Sequence, residues 1–300
     1  MKSLNFYWRL TRPHTLTASL IPVLAGISFA TSKNLIFRPI LAITLLLCAV
    51  IIQIATNLFN EYYDYLNGLD TKDSVGIGGA IVKDGINPNT ILLSAIALFV
   101  CSGILGLILA LFTSFWLLPI GVLCLLIAYC YTGGPYPISR TPFGELFAGT
   151  LMGSGLFLIA FFTQTGFLNW YTLIVSIPLN ILIGLLLTAN SLRDRVADAE
   201  NGRKTLAILL GHDKTVLFMI FFLTFVYVWL FVLLVLNESL FILLPCLTIP
   251  LAIKSIKAYK DSSQTPKQMM TGMIYYSKLN QQFGILYTLA FIMQYIIAIM

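Results

Sequence analysis

Charged residues are scarce in this chain. They make up 10% of its 300 residues, whereas 58% are hydrophobic and the mean hydropathy is +0.90. A soluble domain carries about a quarter charged residues, so this composition excludes an ordinary soluble fold and indicates a polytopic membrane protein. The apolar runs are spread too evenly to leave room for a separate soluble domain. We therefore predict a single transmembrane domain over residues 1–300.

Histidine and cysteine are also few, with two and five residues respectively. His14 and His212 have no partner at metal-ligand spacing, so we assign neither a role. The cysteines lie in apolar runs without such spacing, and we interpret all five as buried free thiols. The net charge is +6, but the basic residues are scattered over several loops. That scatter argues against nucleic acid as a partner and for contact with membrane lipids.

The apolar runs predict an all-α fold of nine membrane-spanning helices, each near the ~20 residues that a bilayer requires. A cytoplasmic amino terminus leaves only Lys33 and Arg38, of 18 Lys and Arg, on the outer side, which is the distribution expected for cytoplasmic loops. We expect the basic residues before the first run to be a cytoplasmic anchor rather than part of a signal peptide, because Pro22 interrupts that run. The predicted spans are 14–31, 39–63, 90–113, 115–131, 144–163, 170–192, 214–236, 239–257 and 281–299.

Acidic residues are concentrated where two of these spans end. The chain has only 12 Asp and Glu, and most of them lie in or just beyond 57–64 and 190–198. Asn57, Glu61 and Asp64 fall on one face of a helix. Ionisable side chains at such positions are costly in hydrocarbon and usually face a protein interior or a watery cavity. They could be a solvated helix end, or half of a cation site.

The second half of such a site occurs about 130 residues later. Asn190, Asp194 and Asp198 are spaced i, i+4, i+8, again along one helical stripe. Arg193, Arg195, Arg203 and Lys204 lie close by in sequence. Carboxylates interleaved with basic residues suit a divalent cation that bridges an anionic ligand.

Three further cytoplasmic segments carry polar residues. The loop over 66–89 is rich in glycine and contains Lys72 and Lys83, which suits an anion, although such a loop is often a plain connector. The turn over 131–137 is followed by Arg140, which could pair with Glu145 or face the site. The segment 258–279 is predicted to be an ordinary loop at the membrane surface. Gly149 and Gly153 have the GxxxG spacing of closely packed helices.

Together these residues describe a helical membrane protein with two carboxylate stripes and phosphate-type loops on its cytoplasmic side. Mg²⁺ prefers a few carboxylates combined with phosphate oxygens and water. The pattern therefore predicts a diphosphate held through Mg²⁺, and a diphosphate whose remainder lies in the membrane should be a lipid diphosphate.

The two stretches also resemble a known family. Asn57-Leu58-Phe59-Asn60-Glu61-Tyr62-Tyr63-Asp64 with Gly68-Leu69-Asp70-Thr71 is similar to the first Asp-rich motif of the UbiA-type membrane prenyltransferases. Asn190 to Asp198, followed by Gly202-Arg203-Lys204-Thr205-Leu206-Ala207, is similar to the second. Arg12-Pro13-His14-Thr15-Leu16 and Tyr131-Thr132-Gly133-Gly134-Pro135-Tyr136-Pro137 add to the resemblance, which covers essentially the whole chain.

The resemblance implies a nine-helix bundle around a central cavity, with two Mg²⁺ and a prenyl diphosphate at its cytoplasmic end. Carried over by position, one metal would be held by Asn57, Glu61 and Asp64 and the other by Asn190, Asp194 and Asp198. The diphosphate would face Lys72, Lys83, Arg203 and Lys204. Glu61 stands where many relatives have Asp, and the Gly-rich loop lacks the Arg that many relatives place there.

The sequence is most similar to family members that transfer a polyprenyl group from a polyprenyl diphosphate to 1,4-dihydroxy-2-naphthoate in menaquinone biosynthesis. Asp64 and Asp194 would then act in catalysis through the metals. The ring of Tyr131, or that of Tyr62, Tyr63 or Tyr136, would stabilise the allylic cation. Arg140, beside Tyr136, would bind the acceptor's carboxylate. Another aromatic acceptor (4-hydroxybenzoate, homogentisate or haem) would use the same motifs. An ion-coupled transporter would also place carboxylates in membrane helices, but usually near the midplane.

Overall fold

The computed structural model describes residues 11–69, 78–236, 238–262 and 265–300. Among these residues the regular structure is helical throughout, as predicted. One 3₁₀ turn over Ile138–Arg140 links α5 to α6, and α10 begins as a 3₁₀ helix over Leu240–Thr248. The helices are α1 (Pro13–Asn34), α2 (Pro39–Leu66), α3 (Ala80–Asp84), α4 (Pro88–Phe112), α5 (Leu117–Thr132), α6 (Gly144–Thr165), α7 (Trp170–Arg193), α8 (Arg195–Glu200), α9 (Leu206–Val235), α10 (Leu240–Lys260) and α11 (Pro266–Ile299).

Eight of the helices in the described ranges are long and apolar enough to cross a membrane: α1, α2, α4, α6, α7, α9, α10 and α11. Each corresponds to a predicted span. The remaining predicted span, 115–131, corresponds to α5, whose 16 residues are fewer than the ~20 that usually cross a bilayer. The ninth span and the cytoplasmic amino terminus therefore stay predictions. In α9 the predicted span follows a kink at Gly211, where a φ of 76° interrupts the helix.

Helices α1, α7 and α11 form the centre of the bundle, and α6, α9 and α10 pack around them. Two buried tyrosines of α11 fasten it to α7: the Tyr276 and Tyr287 hydroxyls donate to the carbonyl oxygens of Leu182 (3.2 Å) and Val175 (2.6 Å). Their rings are fully buried, and each hydroxyl finds a backbone partner because an unpaired polar group would be costly there.

The proline inside α7 is compensated by a tryptophan from α9. Pro178 has no N–H, so the carbonyl four residues earlier, at Ile174, loses its usual helical donor. The indole nitrogen of Trp229 donates to that oxygen at 3.0 Å. The proline therefore also sets where α9 packs along α7.

Close packing of α6 on α7 depends on two glycines, as the GxxxG spacing predicts. A Cβ on Gly149 would come within 2.5 Å of the Asn180 carbonyl oxygen, and one on Gly153 within 2.5 Å of the Asn180 Cα. This part of α6, Gly149–Gly155, is a π-helical segment. Because only glycine permits this approach, α6 lies directly against the face of α7 that precedes the second acidic stretch.

The prediction of a loop over 258–279 is wrong. Helix α10 continues to Lys260, and α11 begins at Pro266, so most of that segment is helical. Met269, Met273 and Tyr276 are buried at helical spacing, while polar residues occupy the other face. An amphipathic helix of this kind has too little overall hydropathy to be recognised as a span.

The interpretation of the cysteines as buried thiols is also wrong, although all five are free. Cys101 and Cys130 are exposed, and Cys48, Cys124 and Cys246 are only partly buried. In a membrane bundle the outer face of a helix is as apolar as its core-facing side, so an apolar run does not predict burial in protein. A thiol behaves there as a small hydrophobic group.

A buried polar cluster closes the end of the bundle opposite the two acidic stretches. The Glu238 side chain is 0% exposed and pairs with the Lys33 ammonium at 2.7 Å. The Tyr171 hydroxyl donates to the same carboxylate at 2.6 Å, and the ammonium lies 5.7 Å from the centres of the Phe29 and Tyr171 rings. One of the two basic residues predicted to lie outside is thus neutralised within the protein.

Replacing Lys33 with methionine should therefore destabilise the folded protein by about 3 kcal/mol, because Glu238 would remain as a buried charge without its cation. Thermal unfolding in detergent would measure this loss. Lys254→Met, at an exposed position of α10 that takes no part in this cluster, is the matched control. Equal stability of the two variants would contradict a role for the pair in holding this end together.

Candidate active site

The ends of α2 and α7 that carry the two acidic stretches meet at one cavity of about 700 Å³. Its walls come from α1, α2, α5, α6, α7 and α11. The cavity extends from Asp64 to Ile52 along α2 and from Asp194 to Ile183 along α7. The cavity thus spans twelve residues along α2 and eleven along α7, which corresponds to a depth of about 17 Å. Polar side chains gather at the end near Asp64 and Asp194, and the deeper walls are mainly apolar.

Arg203 joins the two acidic stretches in space. Its guanidinium lies 3.0 Å from Asp64 Oδ1 and 3.1 Å from Asp198 Oδ1. Arg203 and Asp198 are mostly buried, and Asp64 is 23% exposed. Two carboxylates that lie 134 residues apart in sequence thus face a common point, which the Arg203 guanidinium occupies.

Asp194 and Asp198 continue this group of carboxylates. Asp194 ends α7 and forms a two-nitrogen ion pair with Arg193, at 2.7 and 2.5 Å. Burial raises the pKa of Asp198 to about 6; Arg203 opposes the rise, and the Asp194 and Asp64 charges add to it. A cation bound near these acids would relieve their repulsion.

Glu61 has a different environment from the one expected for a metal ligand. It is 3% exposed and does not line the cavity. Its carboxylate accepts hydrogen bonds from Arg12 Nη2 (3.0 Å) and from the backbone nitrogens of Gly79 (3.1 Å) and Ile81 (3.2 Å). Here Glu61 fastens the end of the Gly-rich loop and the segment before α1 onto α2. Its predicted metal role stays untested.

The two asparagines of the first stretch also differ. Asn57 lines the cavity, but its carboxamide nitrogen donates to the Thr11 carbonyl and the Thr15 hydroxyl, both at 2.9 Å. Asn60 also lines the cavity, and its Oδ1 is buried with no hydrogen-bond partner among the described residues. An unpaired oxygen in a cavity that three carboxylates also line suits a cation. Asn60 was missed, although it precedes Asp64 by four residues, on the same helical face.

The remaining predicted residues divide into those in the cavity and those outside it. Tyr131 and Asn190 line the cavity. Lys83 lies outside the lining and donates to the Gly78 carbonyl at 3.1 Å. Lys204 and Tyr136 are exposed and also lie outside it, and Tyr136 is 89% exposed. Lys72 belongs to the part of the chain outside the described residues.

Arg140 joins two loops instead of facing the cavity. Its Nη2 donates to the Asn201 carbonyl at 2.8 Å, and its own carbonyl accepts from the Lys204 backbone nitrogen at 2.9 Å. No ion pair between Arg140 and Glu145 is present within the described ranges, so that alternative is not observed. Arg140 thereby positions the loop that carries Arg203. Its predicted contact with an acceptor stays untested.

Two parts of the cavity were not foreseen from the sequence. Arg12, just before α1, contributes a guanidinium to the lining. The first turns of α11 contribute Met270, Met273, Ile274 and Lys278, from the segment expected to be a loop. The Met273 sulfur lies 3.4 Å from Arg193 Nη1, which places this wall directly against the second acidic stretch.

The donor set fits magnesium in the presence of a phosphate ligand. Within the described residues, no three His, Cys, Asp or Glu side chains already form a metal cluster. Mg²⁺, however, usually takes only one or two carboxylates and completes its shell with water and phosphate oxygens. Asp64, Asp194 and Asp198, with the unpaired Asn60 oxygen, supply that number of ligands. Arg12, Arg193 and Arg203 match the charge of a diphosphate.

Comparison with known proteins agrees with this chemistry. The family model described as the UbiA prenyltransferase family matches residues 19–279. The chain is 42% identical over 289 residues to 1,4-dihydroxy-2-naphthoate octaprenyltransferase of Bacillus subtilis, covering 96% of this chain and 92% of that protein. It is 32% identical over 206 residues to the enzyme of the same name from Mycobacterium tuberculosis, covering 68% and 69%.

Two solved structures share the fold. A UbiA homolog from Aeropyrum pernix K1 has a TM-score of 0.71 at 14% identity, with 96% of this chain and 98% of that chain covered. A UbiA homolog from Archaeoglobus fulgidus bound to DMAPP and Mg²⁺ has a TM-score of 0.67 at 15% identity, with 94% and 98% covered. Paired carboxylates at one cavity, the family match and the shared fold lead to one conclusion: the chain belongs to the UbiA prenyltransferase family.

Proposed function

We propose that the protein transfers a polyprenyl group from a polyprenyl diphosphate to 1,4-dihydroxy-2-naphthoate, with loss of CO₂ and diphosphate, giving demethylmenaquinol. The observation that carries this proposal is the 42% identity to the B. subtilis octaprenyltransferase over 96% of the chain. The cavity supports it, because a polar end with carboxylates and guanidinium groups continues into apolar walls. A lipid diphosphate has the same division between a charged head and an apolar chain.

The head of the substrate binds at the polar end. Asp64 with Asn60, and Asp194 and Asp198 with Asn190, would hold Mg²⁺, two ions in our proposal. When bound, Mg²⁺ neutralises the negative charge that develops on the departing diphosphate. Arg12 and Arg203 supply further positive charge at the same end, fixed in place before the reaction. The Archaeoglobus fulgidus homolog, which is bound to DMAPP and Mg²⁺, supports the use of Mg²⁺ with a prenyl diphosphate.

The allylic cation that remains must be kept from water. The apolar walls from Ile52, Ile127, Leu156 and Ile183 exclude it along the prenyl chain. Tyr131 lines the cavity near the carboxylates, and its ring face stabilises a nearby cation. The electron-rich naphthalene ring then attacks the allylic carbon, and the ring carboxylate leaves as CO₂.

The protein is an integral membrane protein, and we place it in a bacterial cell membrane as one domain over residues 1–300 with nine spans. The cavity end with Asp64 and Asp194 faces the cytoplasm, because the basic loops lie on that side. A single cysteine at position 261, in a variant lacking the five native cysteines, should react with a membrane-impermeant reagent only in inverted vesicles. Reaction from the outer side would contradict this orientation.

An assay of the purified protein tests the proposed reaction. With a labelled polyprenyl diphosphate and Mg²⁺, 1,4-dihydroxy-2-naphthoate should be prenylated with release of CO₂. Homogentisate and 4-hydroxybenzoate serve as competing acceptors in parallel reactions. Faster prenylation of either of these acceptors would assign the protein to another branch of the family, and no product with any acceptor would refute the proposal.

A further inference from the structure

One cation that lines the cavity has no acidic partner among the described residues. Four basic side chains contribute to the lining: Arg12, Arg193, Arg203 and Lys278. Arg12 pairs with Glu61 and Arg193 with Asp194. Arg203 pairs with both Asp64 and Asp198. Lys278 forms no ion pair with any residue in the described part of the chain. Its charge is therefore available to a ligand.

Lys278 also lies at a different depth from Arg193. Met273, on the same helix, contacts Arg193 at the polar end of the cavity. Helix α11 runs from that end toward the opposite one, where Gln294 lies close to the Lys33–Glu238 pair. Five helical residues separate Met273 from Lys278, which places the lysine about 7.5 Å farther from the diphosphate end. A lysine whose Cα lies at this depth can reach a group on an acceptor that is bound beyond the diphosphate.

The walls around Lys278 suit an aromatic ring. Ile274 of α11, about one turn before Lys278, and Leu187 of α7 line the same cavity. Such aliphatic groups pack well against a flat ring. Ile274 is 49% exposed, so this part of the wall lies at an open side of the cavity, through which an acceptor can enter.

We propose that Lys278 binds the carboxylate of the aromatic acceptor and so determines that the enzyme selects a carboxylated ring. The inference rests on the proposed function, which brings an aromatic acid into the cavity. It assigns to Lys278 the contact that the sequence suggested for Arg140, which instead bonds Asn201 outside the lining. A lysine at the membrane surface could alternatively serve only to anchor α11.

Steady-state kinetics separate these two roles. Lys278→Met should raise the KM for 1,4-dihydroxy-2-naphthoate by about ten- to a hundredfold, the effect of losing one charge-assisted contact. The KM for the polyprenyl diphosphate should stay unchanged, and Lys278→Arg should keep most of the acceptor affinity. Lys267→Met is the matched control, since Lys267 is exposed on the same helix but does not line the cavity. A surface anchor would show no such selectivity.

A pair of inhibitors tests the carboxylate itself. Wild-type protein should bind 1-hydroxy-2-naphthoate at least tenfold more tightly than 1-naphthol, and Lys278→Met or Lys278→Gln should abolish that preference. If the preference survives in both variants, the assignment is overturned. Wild-type activity with dihydroxynaphthoate separates the two proposals. If the wild type does not prenylate dihydroxynaphthoate, the proposed function fails. If it does, but the Lys278 variants keep the preference for the carboxylated inhibitor, only the role of Lys278 fails.

Discussion

Replacing Asp64 or Asp194 with asparagine should lower turnover about 10²–10³-fold. Each change keeps the size of the side chain and removes one negative charge from the polar end of the cavity, where both residues lie. Losing one group that stabilises charge in the transition state typically has an effect of this size. The rate of prenyl transfer at saturating concentrations of both substrates measures it.

Two comparisons make this prediction specific. Asp261→Asn removes a carboxylate from an exposed position at the end of α10 and should leave turnover unchanged. Raising the Mg²⁺ concentration should partly restore the Asp64 and Asp194 variants if their main defect is weak metal binding. Near-normal activity of either variant at low Mg²⁺ would mean that these residues are only solvated helix ends.

The helices and the pairing of the two acidic stretches could be predicted because both depend on local patterns. Long apolar runs mark membrane spans whatever their partners are. The i, i+4 spacing places Asn190, Asp194 and Asp198 on one side of the chain near the end of α7. Two such stripes, each at the end of a span on the same side of the membrane, were bound to lie at similar depth.

The partners of individual charges could not be predicted, because they depend on loops that return from far along the chain. Glu61 receives Arg12 from 49 residues away, and Asp64 receives Arg203 from 139 residues away. The sequence spacing placed Glu61 on the same helical face as Asp64. The loop that carries Gly79 and Ile81 then surrounds its carboxylate with donors and removes it from the cavity lining.

The contribution of α11 to the cavity was missed for a different reason. Hydropathy detects helices that are apolar on all sides, and residues 266–279 are apolar on one side only. The buried Met269, Met273 and Tyr276 carry the signal, at spacings of four and three residues. Helical spacing could also have placed Asn60 in the site, since it lies one turn before Asp64. The unpaired state of its oxygen could be known only from the structure.

The Arg203→Met variant should respond to Mg²⁺ more strongly than the wild type does. In the wild type the guanidinium lies between Asp64 and Asp198 and offsets their repulsion. Without it, two mostly buried carboxylates face each other, which should destabilise the metal-free protein by about 3 kcal/mol. Mg²⁺ that binds only the folded state raises the free energy of unfolding by mass action. It should bind more tightly to Arg203→Met, where the negative charge of the two carboxylates is not compensated.

Thermal unfolding with and without Mg²⁺, at a pH well above 6 so that Asp198 is ionised, measures this response without requiring activity. The increase in Tm on adding Mg²⁺ should be larger in Arg203→Met than in the wild type. Arg203→Lys should fall between them, because one ammonium cannot contact two carboxylates as a forked guanidinium does. Arg195→Met, on α8 and outside the cavity lining, controls for the loss of positive charge from this region. An equal Mg²⁺ response in all four proteins would show that Asp64 and Asp198 do not bind Mg²⁺, whatever the activity of the variants.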